Sequence, residues 1–407
     1  MIYFNEKLKY TIYSSFVFLF IFSLFFHKYE IFERYSFIKS SELIFSILFS
    51  LYLLFDIKKL LKNLNKDDLV FLSWPILNLL QFFFNQNNLI GVISSTYVFF
   101  LYLIFKNLFF DLGKNKIIKY LIISLILFSL ITIVGWSLAQ FNVDLNLTEY
   151  KEGWPIYIFE RYRSIGFMPT PNMLFFFLSF GYLISKNFDF KYKRFILLII
   201  FIAILLTFSK SLMFFIPLLI IPYIIINKHY YFIKAYLFGF LIIIVLFNIL
   251  TNFIVVPKKE NFFRQNDNSH YRDKNEPHIY ENKYFVIYKS NYAQLKLKSL
   301  KIIQQNFFTG IGYDQFKNLE IDNHEFIFGY KPHSSFLGLV VDNGILSILI
   351  FSYIIYYCLR QNNKNKNYYF LSLIIFLIVE SINTDIHYFK IFWIFLPLLL
   401  YENKIKN

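Results

Sequence analysis

The string KPHSSFLGLVVDNG at 331–344 sets His333 between a proline and two serines that read as the start of a helix. An imidazole with a reference pKa of about 6.5 is neutral near neutral pH, and the dipole of a following helix opposes an added proton. A histidine so placed can take up a proton as a general base, or hold a structural hydrogen bond at the interface. Two cations stand at other apolar boundaries: Arg163, amid Gly166, Pro169, Pro171 and Asn172, and Lys210, in a Ser-Lys-Ser between two very apolar runs. An immersed charge costs about 3 kcal/mol, so Lys210 belongs at a lipid boundary, where it either anchors the chain or meets an anion. Arg163 could equally be a snorkelling anchor, but the residues around it specify an unusual turn. Asp342 lies nine residues after His333, about 180° around an ideal helix, which suits breaking the span or bonding neighbouring helices better than pairing with the histidine. Asp385 and His387, in NTDIH, are further titratable groups in an outer turn.

The elements that must position these residues are dictated by composition. The chain is 57% hydrophobic, with mean hydropathy +0.49 and 56 Phe, 32 Tyr and only 12 Gly in 407 residues. No soluble core uses that much apolar surface, so the solvent is largely lipid. Apolar runs long enough to approach about 30 Å of hydrocarbon fall at 10–26, 41–55, 69–84, 89–105, 117–136, 172–186, 195–207, 212–227, 230–256, 334–359, 368–382 and 386–401. The expected fold is therefore an all-α integral membrane protein of about 12 transmembrane helices. Nine lie within 1–256, a large outer loop occupies 257–333, and the last three fill 334–407.

Placing the N-terminus in the cytoplasm puts 20 Lys and Arg in inside segments and 7 in the short outside loops. That asymmetry satisfies the positive-inside rule, from which the long loop is exempt. Both termini are expected in the cytoplasm. The first span, lacking a small-residue cleavage site, reads as a retained helix. Topology explains so many of the basic residues that the net charge of +15 does not point to nucleic acid. The single cysteine, Cys358, leaves the outer loop without disulfides.

Two outer segments are long enough to build a site. One is 137–171. The other is 257–333, in which 292–308 reads as an amphipathic helix with Ala293, Leu297, Leu300 and Phe307 on its apolar stripe and Lys296, Lys298 and Lys301 elsewhere. Gly310 is expected at its C′ position, and Gly312 follows. The segment 261–284, holding Arg264 and Arg272, reads as a polar loop tip.

Three stretches in order resemble the O-antigen ligase and O-antigen polymerase superfamily of multispanning bacterial glycosyltransferases. RSIGFMPTPNMLFFFLSF at 163–180 is similar to the family's Arg-x-x-Gly-x-Phe-x-x-Pro-Asn leading into a span. LLTFSKSLMFFIPLLI at 205–220 is similar to its Ser-Arg between two apolar spans. LKSLKIIQQNFFTGIGYDQF at 297–316 followed by PHSSFLGLVVDNGILS at 332–347 resembles its loop helix, Gly-x-Gly turn and His-Asn-x-Phe/Tyr-Leu.

The resemblance implies a glycan donor on undecaprenyl pyrophosphate and an acceptor sugar hydroxyl, on a lipid A-core or another glycan, at the outer face of the bacterial inner membrane. It implies His333 as catalytic base and Arg163 and Lys210 as pyrophosphate-binding cations, with Asn172, Gly310, Gly312 and Asp342 in support. The family also places an arginine just before the loop helix, where this chain reads YKSNYAQ; Lys289, or Arg264 or Arg272 reaching in, would take its place. No cofactor or metal is implied, and the partners are the lipid-linked donor, the acceptor and membrane lipid. Two departures matter: lysine at 210 lacks the two-pronged guanidinium, and Ser334 stands where the family often has Asn. Ligase and repeat-unit polymerase share this chemistry and stay open. A lipid-linked oligosaccharide flippase is the alternative from another class, although it would place charges in a midspan cavity between repeat-related halves, and no repeat is evident.

Overall fold

The computed structural model describes residues 6–26, 39–84, 89–143, 145–151, 161–226, 230–257, 278–319, 330–365 and 368–401. A helix occupies each of the twelve apolar segments. The first five are α1 (Glu6–Ser23), α2 (Ser40–Lys62), α3 (Lys66–Phe84), α4 (Leu89–Leu112) and α5 (Lys114–Gln140). A hairpin of β1 (Thr148–Lys151) and β2 (Arg161–Ser164) follows, pairing Glu149 with Arg163. Next come α6 (Pro171–Ser185), α7 (Lys193–Leu205), α8 (Leu212–Leu218), α9 (Ile221–Ile226) and α10 (Tyr230–Asn252). Then β3 (Phe253–Pro257), β4 (Tyr280–Glu281) and β5 (Phe285–Lys289) form a sheet in the order β3-β5-β4. The remaining helices are α11 (Asn291–Gln305), α12 (Ser335–Asn343), α13 (Ile345–Asn365), α14 (Tyr368–Glu380) and α15 (Lys390–Tyr401).

Among the described residues, four helical stretches, Leu89–Leu112, Lys114–Gln140, Lys234–Asn252 and Ile345–Asn362, are long and apolar enough to cross a membrane. Burial sorts the helices into inner and outer. In α15 every residue from Ile391 to Tyr401 is buried, and α6 is nearly as enclosed. A helix apolar on all faces belongs at the centre of a bundle. Phe176 of α6 meets Phe376 of α14 and Phe389 before α15, so phenylalanine supplies much of the interior. On α10, by contrast, Phe238, Leu241, Val245 and Ile249 are exposed, as expected of a face turned to lipid.

Four expectations need correction. Two small sheets interrupt the all-α plan. The run 230–256 does not stay helical: Phe253–Pro257 is strand β3, because a short apolar, β-branched run ending in proline fits a strand as well as a helix. The runs 212–227 and 334–359 each contain a break. Pro217 and Pro222 divide the first, and the Leu218 carbonyl accepts from Ser372 Oγ at 3.4 Å while the Leu219 carbonyl accepts from Lys186 Nζ at 3.4 Å. Broken helices persist in apolar surroundings when neighbours satisfy the freed backbone.

The second break is at buried Gly344, with φ +72°, and the segment following α11 fills it. Ile311 N donates to the Val341 carbonyl at 2.8 Å, Gly312 N to the Asp342 carbonyl at 3.0 Å, and Ile345 N to the Phe307 carbonyl at 2.9 Å. A Cβ on Gly310 would lie 2.5 Å from the Asp342 carbonyl oxygen, and one on Gly344 would run into the Phe308 carbonyl. The glycines thus let two backbones meet, which fixes α11 relative to α12. Gly310 is not the C′ residue expected of it: α11 ends at Gln305 with Asn306 as its cap.

Candidate functional site

His333 stands immediately before α12, and its backbone is left-handed, with φ +53°. That conformation costs a non-glycine residue about 1–2 kcal/mol unless neighbours hold it. Asp385, from the segment joining α14 to α15, does so. Its carboxylate accepts from His333 N at 3.0 Å and from Ser334 N at 3.2 Å. Ser334 caps α12 by accepting from Leu337 N at 3.5 Å, and Ser335 N donates to the Ser381 carbonyl at 2.8 Å. The histidine is therefore set by two elements distant in sequence.

Around the half-buried imidazole, Tyr292 of α11 packs edge-on with ring centroids 4.8 Å apart, and the Tyr330 ring lies at 6.0 Å. Tyr292 links the histidine to Arg163. Asn172, at the start of α6, donates from Nδ2 to the Tyr292 hydroxyl at 3.3 Å, and its Oδ1 accepts from Arg163 Nη2 at 3.2 Å and Ser209 Oγ at 3.1 Å. Arg163 is itself buried, donating from Nε to the Thr207 carbonyl at 3.2 Å with Glu149 at 4.0 Å. The hairpin, the α7–α8 turn, α6, α11 and the mouth of α12 thus converge on one chain of contacts.

The electrostatics favour an uncharged imidazole. Burial first, then the Lys296 and Lys331 ammonium groups, lower the His333 pKa to about 4. Burial raises Asp385 to about 6, opposed by Lys331 and by the two amides it holds. Burial also lowers Lys296, to about 8, while Asp385 pulls the other way. Lys296 donates to Asn383 Oδ1. Lys331 lies 3.2 Å from Asp314 and 3.4 Å from the centroid of the Tyr388 ring.

Other residues singled out by sequence fall elsewhere. The Lys210 ammonium donates to the Leu250 carbonyl at the end of α10, at 2.8 Å, although its neighbour Ser209 touches Asn172. Lys289 ends β5, exposed and opposite Phe253. Arg264 and Arg272 lie outside the described residues. Asp342 is buried and accepts from the Tyr388 hydroxyl, tying α12 to the segment before α15. His387 is buried beside Gly338.

Sequence reasoning passed over Tyr292, Lys296, Asn383 and Lys331. The reason is visible in α11, whose buried residues are Leu295, Ser299 and Ile302, while Leu297 and Leu300 are exposed. The stripe expected from sequence is the wrong one: Leu295 and Ile302 pack inward against Phe316 and Val341, and Tyr292 and Lys296 share that inward side. The available signal was the spacing of Tyr292 and Lys296, four apart after the N-cap Ser290, whose hydroxyl accepts from Ala293 N at 3.2 Å.

No curated protein matches the chain. Residues 195–352 match the model of the O-antigen ligase family, a stretch running from α7 through α11 and His333 into α13, with Arg163, Asn172 and Asp385 outside it. That family implies a ligase-type glycosyltransferase of the membrane, working on lipid-linked glycans in surface polysaccharide biosynthesis. Over residues 195–352, somewhat under half of the chain, the match bears out the resemblance to the O-antigen ligase and polymerase superfamily.

Proposed function

We propose that the protein transfers a glycan from undecaprenyl pyrophosphate to a sugar hydroxyl at the outer face of the bacterial inner membrane. In this reading about twelve helices span the bilayer, the large loop between the ninth and tenth spans lies outside, and both termini are cytoplasmic. The observation that carries it is the chain of contacts from Arg163 through Asn172 and Tyr292 to His333. It puts a fixed cation and a neutral imidazole in one site, at the mouth of a helix, within a family that works on lipid-linked glycans.

In the reaction, the acceptor hydroxyl oxygen attacks the anomeric carbon on the face opposite the pyrophosphate. The carbon–oxygen bond to pyrophosphate breaks, its electron pair staying on the leaving oxygen, and the hydroxyl proton passes to His333. Configuration inverts, and one base with positioned cations suffices without a metal or a nucleophile. Arg163 stabilises the leaving pyrophosphate through donors a carboxylate or phosphate oxygen can accept. Lys210 could join only by leaving the Leu250 carbonyl, so we assign the leaving group first to Arg163. Asn172 and Tyr292 hold the spacing between cation and base, and Asp385 holds the imidazole.

The ligase reading transfers finished glycan to a lipid A-core sugar. A repeat-unit polymerase would use the same donor chemistry. A strain lacking the protein separates them: loss of surface glycan with lipid-linked polymer retained identifies a ligase, whereas attached single repeats identify a polymerase. Purified protein in liposomes tests the class. Translocation of the lipid-linked donor without a new glycosidic bond would make it a flippase and overturn the transfer reading.

A further inference from the structure

Tyr292 and Lys296 are one helical turn apart on α11 and share its inward face. Tyr292 packs on the His333 ring. One turn later the Lys296 ammonium donates to Asn383, two residues before the Asp385 carboxylate that fixes the His333 backbone. Lys296 therefore belongs to the same cluster as the base, reached from the other side. The charged and titratable groups facing His333 are Tyr292 and Lys296 from α11, Tyr330 and Lys331 from its own segment, and Asp385 from the α14–α15 connection. Arg163 stands two contacts further, behind Asn172 and Tyr292.

The charges in this cluster are unevenly matched. Lys331 has Asp314 at 3.2 Å. Asp385, the carboxylate that acts on Lys296, is occupied by two backbone amides. Lys296 itself donates to a neutral amide oxygen, and an ammonium has three protons to give. An anion arriving here would complete its bonding and reverse the local field.

We propose that Lys296 receives the pyrophosphate of the donor beside His333, so that arrival of the donor is what makes His333 an effective base. This rests on the transfer reading above and extends it by tying base strength to donor occupancy. Without donor, the Lys296 and Lys331 charges oppose protonation of the imidazole. A bound pyrophosphate cancels that opposition, and the imidazole gains basicity when an anomeric carbon is in place for attack. The proton then moves from the acceptor hydroxyl to His333 as the new carbon–oxygen bond forms, and the electron pair of the broken bond leaves on the pyrophosphate, which Lys296 holds together with Arg163.

The test uses full-length protein in lipid nanodiscs with isotope-labelled histidine, the His333 ring signal being assigned by comparison with His333→Gln. Its titration midpoint is followed with and without undecaprenyl pyrophosphate. The expected result is a midpoint that rises by about one pH unit or more when the lipid binds. Lys296→Gln is expected to raise the midpoint of the protein without lipid, to remove most of the further rise, and to weaken lipid binding about tenfold. Lys296→Arg, which keeps the charge, is expected to retain both responses. Should Lys296→Gln fail to accumulate in the membrane, Lys296→Met and Lys296→Arg carry the same comparison. A midpoint that saturating lipid does not move, or a Lys296→Gln protein that binds the lipid as the wild type does, overturns the proposal. If the wild type shows the shift yet forms no glycosidic bond from a lipid-linked glycan, the transfer reading fails and the anion seat stands. If it transfers glycan without the shift, the seat alone fails.

Discussion

Two buried ion clusters in this molecule are built oppositely. Between α3 and α4, Lys106 donates to Asp68 at 2.6 Å and to the Asn63 carbonyl at 3.0 Å, and Asp68 also accepts from Tyr102 at 2.8 Å and Asn65 N at 2.8 Å. Every charge there has its opposite and its hydrogen bonds, and both side chains are almost fully buried. Around His333, Asp385 accepts from two backbone amides, Lys331 has Asp314 at 3.2 Å and Arg163 has Glu149 at 4.0 Å, while Lys296 donates to a neutral amide oxygen. The first cluster is complete in the protein alone and holds helices together. The second, on the reading proposed above, is completed by the anion of its substrate.

The comparison breaks most visibly at Lys106. Replacing it by alanine leaves Asp68 buried without its partner, at a cost of about 3–5 kcal/mol. The check is thermal unfolding in detergent, with a large loss of stability and an unchanged transfer rate per folded molecule. Arg163→Ala should do the reverse. Loss of a positioned charge on a leaving group lowers turnover by about a hundred- to a thousandfold, measured as transfer from a lipid-linked glycan, with a smaller change in melting temperature. Lys at position 163 should recover part of the rate, because the charge returns without the two-pronged geometry.

How far such a contrast could be read without coordinates depends on the residue. The helices of the apolar runs were legible because hydrocarbon thickness imposes a length, and His333 at a helix mouth was legible because proline and serine mark helix starts. Arg163 and Asn172 stood out by their turn, and a shared site for them was plausible from the family likeness. Lys296 was hidden because α11 carries apolar residues on two sides, and the buried side is that of Leu295 and Ile302, not that of Leu297 and Leu300. The partnership of Asp385 with His333 joins residues 52 apart, a pairing no local pattern encodes. The breaks at Gly344 and β3 were hidden for a different reason. An apolar run reports the solvent it needs, not whether its backbone stays helical.

Asp385 sharpens the comparison at a smaller scale. Its folded pKa of about 6 lies above the ordinary carboxylate value, so on lowering the pH it gains a proton in the folded protein before the unfolded chain would. Stability from this group therefore rises as pH falls from about 6 toward about 4, while its grip on the His333 and Ser334 amides weakens over the same window. Transfer should decline through about pH 6 even though the protein does not unfold. His333, at about 4, is still neutral there. Asp385→Asn should lower turnover about tenfold and flatten that acid limb, whereas a purely structural role would lower the yield of folded protein and leave the limb in place.

The central claim is that the outer cluster performs the chemistry with His333 as its base. It is tested most directly by the rate of glycosidic bond formation in liposomes carrying an undecaprenyl-pyrophosphate-linked glycan and an acceptor. The wild type is expected to form the bond, and His333→Ala to form it about a hundred- to ten-thousandfold more slowly at equal membrane abundance and equal melting temperature. A His333→Ala protein that transfers glycan at the wild-type rate would contradict the account.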